Sequence, residues 1–237
     1  MRLDKLLANM GYGSRKDVKS LLKKKKVTVN DEVVKDGSTH VEPNKDIIKC
    51  NGNLVTYKKY IYLMMNKPPG VISATTDQRE KTVIDILSEE ERIFEPFPVG
   101  RLDKDTEGLL LLTNDGDLGH QLTSPNKDIG KTYFAKIQGR VTASDKEEFK
   151  KGVVLNDGYQ SKPADLDIID SDDVSEITVT ITEGKFHQVK RMFEAVGKKV
   201  IYLKRLQMGK LELDKRLQLG EYRELTEEEL TYCQSLK

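Results

Sequence analysis

GRLDKDTEGLLLLTNDG, residues 100–116, sets a loop crowded with charges of both signs directly before an uninterrupted apolar run. Gly108 through Leu112 shows no alternation of polar and apolar residues, so the strand it predicts is covered on both faces. Asn114-Asp115-Gly116 closes the strand as a turn, and Pro96, Pro98 and Gly100 interrupt regular structure just before the loop. A loop carried by a rigid sheet is where chemistry tends to sit. A carboxylate there can serve as nucleophile or base, and neighbouring cations favour its charged form. On spacing alone, a loop of ordinary surface ion pairs is the more economical reading.

Outward from this stretch, strands and helices intersperse without a regular strand–helix–strand repeat, which predicts an α+β domain and not a doubly wound one. Tyr60 through Met65 reads as an apolar strand stopped by Asn66-Lys67-Pro68-Pro69-Gly70, and Val71-Ile72 reads as its resumption. Thr82 is placed to cap a short helix holding Val83, Ile86 and Leu87. Ile177, Val179 and Ile181 alternate with threonines, as a half-buried strand does. Gly184 then turns the chain into a helix whose apolar stripe is Val189, Met192, Phe193 and Val196, with His187, Lys190, Arg191 and Glu194 on the opposite face. The start of that helix, with Lys185, Lys190 and Arg191, can attract an anion, either RNA phosphate or the Asp103 carboxylate. A solvated basic face explains it as well.

Toward the N-terminus, Leu3, Leu6, Leu7 and Met10 follow helical spacing, Gly11 and Gly13 break it, and Ser14 caps a second helix with Asp17 in its first turn. Val18, Leu21 and Leu22 form that helix's buried side, leaving Arg15, Lys16, Lys19 and Lys23 outward. Val27-Thr28-Val29, a turn at Asn30-Asp31, a return at Val33-Val34 and a strand over residues 46–50 complete a small unit. The boundary falls between Tyr57 and Tyr60, giving domains over residues 1–58 and 60–237.

The net charge of +1 conceals zoning. Residues 1–59 hold 14 Lys and Arg against 7 Asp and Glu, a net of +7, whereas the rest of the chain is net −6. Within that remainder, residues 183–216 hold 10 basic against 4 acidic residues, a net of +6. Such zoning suits a polyanion that touches selected surfaces. Lys23 to Lys26 suit phosphate contacts, which read charge and not sequence. No apolar run is long enough to span a bilayer and no secretory signal is evident, so a soluble, cytoplasmic protein is expected; a monomer is expected as well. Cys50 and Cys233 stand alone, and His40, His120 and His187 lack ligand neighbours at metal spacing. With no phosphate-binding loop or dinucleotide fingerprint, elimination favours chemistry with neither metal nor cofactor.

Residues 1 to about 57 resemble the S4 RNA-binding domain, from Arg2-Leu3-Asp4-Lys5-Leu6 through Gly13-Ser14-Arg15-Lys16 to Val27-Thr28-Val29-Asn30. Relatives often carry glycine near Lys25 and at Asp31. Residues 60 to about 230 resemble the catalytic domain of pseudouridine synthases acting on ribosomal RNA. The blocks are Asn66 to Gly70, residues 100–116, Lys131-Thr132-Tyr133 and EGKFHQVKRMF at 183–193. The resemblance implies an isomerase, an intramolecular transferase that detaches uracil from the ribose through N1 and rejoins it through C5. It implies a mixed, mainly antiparallel sheet. It places the essential aspartate at Asp103, a residue filling the gap of the extruded uridine at Arg101, a tyrosine stacking on the target base at Tyr133, and the aspartate's basic partner at Lys190. Many relatives have Arg at that last position; Lys keeps the charge without the planar fork. Arg2, Arg15, Lys16, Lys19, Lys23, Lys24, Lys25, Lys26, Lys185 and Arg191 are the expected RNA contacts. Phe186-His187 before Gln188 resembles the branch acting on small-subunit (16S) rRNA, where large-subunit (23S) branches more often carry Asn-Arg. The expected partner is ribosomal RNA, naked or within a pre-ribosomal particle. A non-catalytic RNA-binding assembly protein is the alternative from another class.

Overall fold

A computed structural model describes residues 1–124 and 127–236, and the described chain forms two compact units. One contains Met1–Ile61 and Leu87–Glu95; the other contains Tyr62–Ile86 and Pro96–Lys237. No helix among the described residues is long and apolar enough to cross a membrane.

In the first unit, α1 (Leu3–Asn9) and α2 (Arg15–Lys23) pack on a four-stranded sheet of order β2-β1-β3-β4, built from β1 (Val27–Val29), β2 (Glu32–Val33), β3 (Ile48–Cys50) and β4 (Asn53–Leu54). The segment Leu87–Glu95 adds a short helix, α3 (Glu89–Arg92). The i, i+3, i+4 apolar positions do what their spacing predicts: Leu3, Leu6, Leu7, Val18 and Leu22 are wholly buried with Val27, Ile48 and Cys50. Leu21, expected in the same stripe, is only half-buried. Ser14 and Asp17 form a reciprocal capping box at the start of α2. The strand expected over residues 46–50 shortens to Ile48–Cys50, because Asn30 and Glu42 take Asp46 into side-chain bonding.

The end of α2 forms a Schellman turn: the Lys26 amide donates to the Leu21 carbonyl at 3.1 Å, and Lys25 to Leu22 at 3.0 Å. That turn needs a left-handed residue, and Lys25, with φ of 57°, fills the place glycine prefers. Asp31 (φ 66°) does the same in the β1–β2 turn. Both turns therefore form without glycine, at a cost in backbone strain. Lys25→Gly is expected to stabilise this unit by about 0.5–1 kcal/mol, the relief of strain less the entropy glycine loses on folding. A raised urea midpoint monitored by circular dichroism checks it.

The second unit is a nine-stranded sheet among the described residues, of order β13-β5-β7-β11-β8-β10-β9, with β12 on β11 and β6 on β7. The strands are β5 (Tyr62–Lys67), β6 (Phe97–Val99), β7 (Glu107–Thr113), β8 (Lys131–Gln138), β9 (Asp165–Asp170), β10 (Val174–Ile181), β11 (Lys199–Met208), β12 (Leu211–Glu212) and β13 (Tyr222–Glu224). Helices α4 (Gly116–Thr123), α5 (Ala143–Lys151), α6 (Gln188–Ala195) and α7 (Glu227–Ser235) complete it. Among the described strands only the β7–β11 pairing is parallel, so the expected α+β fold with a mixed, mainly antiparallel sheet is what forms.

β7 is the buried centre. Leu109 and Leu111 share a core with Leu118 and Leu122 of α4 and Cys233 of α7, while Leu110 and Leu112 are fully buried on the opposite face. Gly108 permits the parallel pairing: a Cβ there would penetrate the Arg205 carbonyl and lie 2.8 Å from the Arg205 amide nitrogen. Two expectations shift. The strand read as Tyr60 to Met65 spans Tyr62–Lys67, because Asn66 and Lys67 pair in register with Leu109 and Gly108. Val71-Ile72 forms no strand, only a single bridge from Ile72 to Thr82, where a short 3₁₀ turn at Ile84–Ile86 follows.

Candidate active site

Loop 100–106 leaves β6 and enters β7, so its geometry is inherited from the most buried strand in the sheet. Three neighbours hold it. Ser73 is bonded both ways with Leu102, its hydroxyl donating to the Leu102 carbonyl at 3.0 Å and accepting from the Leu102 amide at 3.1 Å. The Gly70 amide donates to the Lys104 carbonyl at 2.7 Å. Lys67 is completely buried, and its ammonium donates to the carbonyls of Pro68, Asp103, Lys104 and Thr106 at 2.9–3.3 Å. Burial lowers this ammonium to about 8, against the opposing pull of Asp105, Asp103 and Glu107. A single cation thus gathers the middle of the charged loop and its entry into β7.

The loop forms one wall of a cleft. Asp103 projects into it with its side chain about a quarter exposed; Lys190 Nζ lies 3.1 Å from Asp103 Oδ2, and His187 Nε2 3.6 Å from Oδ1. Lys190 is shared: it also donates to both oxygens of Asp105, at 2.7 and 2.9 Å. Burial draws the Lys190 ammonium down, but the bonds to Asp105 and Asp103 outweigh it and leave it raised. Asp105 mirrors this: burial pushes its carboxyl up, and the bond and charge of Lys190 carry it below its ordinary range. Tyr133 of β8 stands opposite Val179 and Arg205 in register, buried, and lines the cleft with Ile181 and Leu203. The Thr106 hydroxyl, also in the lining, is buried and has no hydrogen-bond partner among the described residues. The result is a carboxylate facing an ammonium over an apolar floor.

α6 reaches this cleft through a tightly held turn. The buried Glu183 accepts from the Tyr159 hydroxyl at 2.7 Å, from the Lys162 amide at 2.9 Å and from the Gln188 side chain, while Gln188 Oε1 accepts from the Lys185 amide at 2.8 Å. His187, expected on the polar face of the helix, instead precedes it as the N-cap residue in a left-handed conformation, φ 50°. The left-handed turn ends the loop and brings the imidazole to Asp103.

Of the residues singled out from the sequence, Arg101, Asp103, Tyr133, Lys185 and Lys190 line one cleft although they span residues 101–190. Arg191 does not line it and pairs with Asp157. In the first unit, Arg15, Lys16, Lys19 and Lys23 to Lys26 are all exposed on α2 and the turn after it, and Arg2 is paired with Asp4 at 2.7 Å. Sequence reasoning missed Lys67, Asp105, Thr106 and His187 as parts of the site. Lys67 lay within the Asn66 to Gly70 block, but from the residues themselves it was a charge at the end of an apolar strand, which reads equally well as a strand end in solvent.

Comparison with known proteins agrees with this architecture. A family model described as RNA pseudouridylate synthase matches residues 61–195, and the S4 domain model matches residues 1–47. The chain is 54% identical over 231 residues to an uncharacterized RNA pseudouridine synthase of Bacillus subtilis, covering 97% of each. It is 41% identical to the ribosomal small subunit pseudouridine synthase A of Vibrio cholerae, covering 97% of this chain and 98% of that one. A crystal structure of a pseudouridylate synthase superposes with a TM-score of 0.69 at 34% identity, covering all of both chains. With the family matched over residues 61–195, the S4 domain over residues 1–47 and relatives of nearly equal length at 41–54% identity, this chain belongs to the RNA pseudouridylate synthase family and carries an N-terminal S4 domain.

Proposed function

We propose that this enzyme converts a uridine of small-subunit (16S) rRNA to pseudouridine, with Asp103 as the catalytic carboxylate and no metal or cofactor. The observation that carries it is the pairing of Asp103 with Lys190 at 3.1 Å over a floor that includes Tyr133. The uridine must first leave its stack, at a cost of a few kcal/mol. Arg101 at the cleft edge then fills the gap, and Tyr133 stacks on the entering base. Two routes use the same carboxylate. Asp103 adds to C1′ as the N1–C1′ bond breaks with its electron pair on uracil, or it removes a sugar proton to leave a glycal. In both, uracil rotates within the cleft. C5 then displaces the Asp103 carboxylate from C1′ in the first route, or adds to C1′ of the glycal as Asp103 returns the proton to the sugar in the second, and the hydrogen on C5 departs as a proton. A cation facing the carboxylate in a partly enclosed site interacts with it more strongly than in water.

Two findings favour the small subunit: the Phe186-His187 pair before Gln188, and relatives named small subunit pseudouridine synthase A at 41% and 39% identity. The test maps the pseudouridines that a carbodiimide marks in rRNA from a strain lacking the gene. The proposal expects one mark missing from 16S rRNA, restored by wild type and not by Asp103→Asn. A missing 23S mark rejects the small-subunit assignment; no missing mark at all favours a binding protein.

The basic face of the first unit is proposed to hold RNA phosphates. Replacing Arg15, Lys16 and Lys23 to Lys26 with Ala is expected to weaken binding to a 16S rRNA transcript. The slope of log affinity against log salt should flatten by about 0.7–0.9 for each phosphate no longer neutralised. The residues are exposed, so the thermal transition should hardly move. An unchanged salt slope in filter-binding titrations would make these lysines mere solvated surface.

A further inference from the structure

Phe186 is the most exposed large apolar side chain among the described residues, at 76%. Its chain neighbours Lys185 and His187 both line the catalytic cleft, while its own ring stands outside. One face is stacked on the His187 imidazole, with centroids 3.8 Å apart and planes inclined by 18°; most of the remaining ring surface faces solvent. We propose that Phe186 is a stacking platform for an unpaired nucleobase of the substrate RNA, beside the nucleotide whose uridine enters the cleft. This rests on the reading that RNA occupies the Asp103 site.

The ring's surroundings argue for a base. An aromatic used to dock a protein sits in a broad apolar patch. This one is flanked along the chain by Lys185 and His187, with Lys190 on the first turn of the following helix, a setting that suits a polyanion carrying flat rings. Single-stranded RNA is recognised by splaying bases onto aromatic faces, and a uridine extruded into the cleft leaves its neighbours needing such a face. The platform is also preorganised. Glu183 and Gln188 pin both ends of the turn, and the Arg191 amide donates to the His187 carbonyl at 2.9 Å. The left-handed backbone at His187 is strained for a residue with a side chain, and it is what sets the imidazole between Phe186 and Asp103. The inner ring of the stack therefore approaches the catalytic carboxylate while the outer ring awaits a partner.

The experiment uses the full-length protein and a 16S rRNA transcript tritiated at uracil C5, whose tritium leaves when C5 bonds to the sugar. Phe186→Ala is expected to raise KM and weaken transcript binding by about fivefold or more, with kcat nearly unchanged and the thermal midpoint equal to wild type. Phe186→Trp, which keeps a stacking face, is expected to retain wild-type KM. Unchanged KM and affinity in Phe186→Ala, or equal losses in Ala and Trp, overturn the stacking role. If wild type releases no tritium, the proposed function fails, and the comparison of transcript affinities among wild type, Ala and Trp still decides the stacking role.

Discussion

Asp103→Asn is expected to leave a folded protein that binds its RNA and releases tritium from C5-labelled substrate at least about 10⁴-fold more slowly, the scale on which removing a nucleophile or base from a concerted site acts. The fold survives for a structural reason. Among the described residues the carboxylate's charged partners are Lys190 and His187, whereas the loop is held through the Asp103 carbonyl by Lys67. Asn keeps the shape and the backbone bonds, and Lys190 retains Asp105 as a partner. The amide nitrogen offers no lone pair for C1′, and the amide is no base for a sugar proton. Thermal denaturation should therefore match wild type within about 1 kcal/mol, as expected when one partner of a partly exposed ion pair is neutralised. A variant that turned over at near wild-type speed would remove Asp103 from the mechanism altogether.

Lys67→Met is expected to lower kcat by about 10²-fold and to destabilise the second unit by about 2–4 kcal/mol. Methionine fills much of the volume but offers no donor to the four carbonyls that now converge on the ammonium. Buried acceptors without a donor cost about 1–3 kcal/mol each, reduced here because removing a buried charge and rearranging the loop recover part of it. The rate falls because the loop shifts, and a displacement of about 1 Å at a reacting group is worth about 10²-fold. The pH dependence has a definite sign. Folding lowers the Lys67 ammonium from 10.5 to about 8. Between those values the unfolded chain holds more protons at this position than the folded one, so this group's contribution to stability rises with pH across that window. In Lys67→Met that slope should vanish. Urea titrations from neutral to alkaline pH, with single-turnover rates, check both parts. Wild-type kcat and stability in the variant would show that the carbonyl cage does not position Asp103.

The apolar run at 108–112, the helical spacing of Leu3, Leu6 and Leu7, and the Ser14–Asp17 cap were all legible in the sequence. Each depends on interactions within one or two turns or along one strand, where spacing in the chain equals spacing in space. The charged loop before β7 could be marked as a place for chemistry, although spacing alone left surface ion pairs as the simpler account. Tertiary structure decided the rest. Lys67 becomes a loop anchor because the register of β5 against β7 sets it at Gly108, beneath residues about 36 positions away. Lys190 bridges Asp103 and Asp105, from which it is separated by more than 80 residues, because α6 is delivered to the cleft by the strands flanking it. Arg191, one residue further along the same basic run, is turned to Asp157 by the 100° step of the helix. Charge partners and backbone strain such as that at His187 are set by strand register and packing, which contacts across the fold determine and local composition does not record.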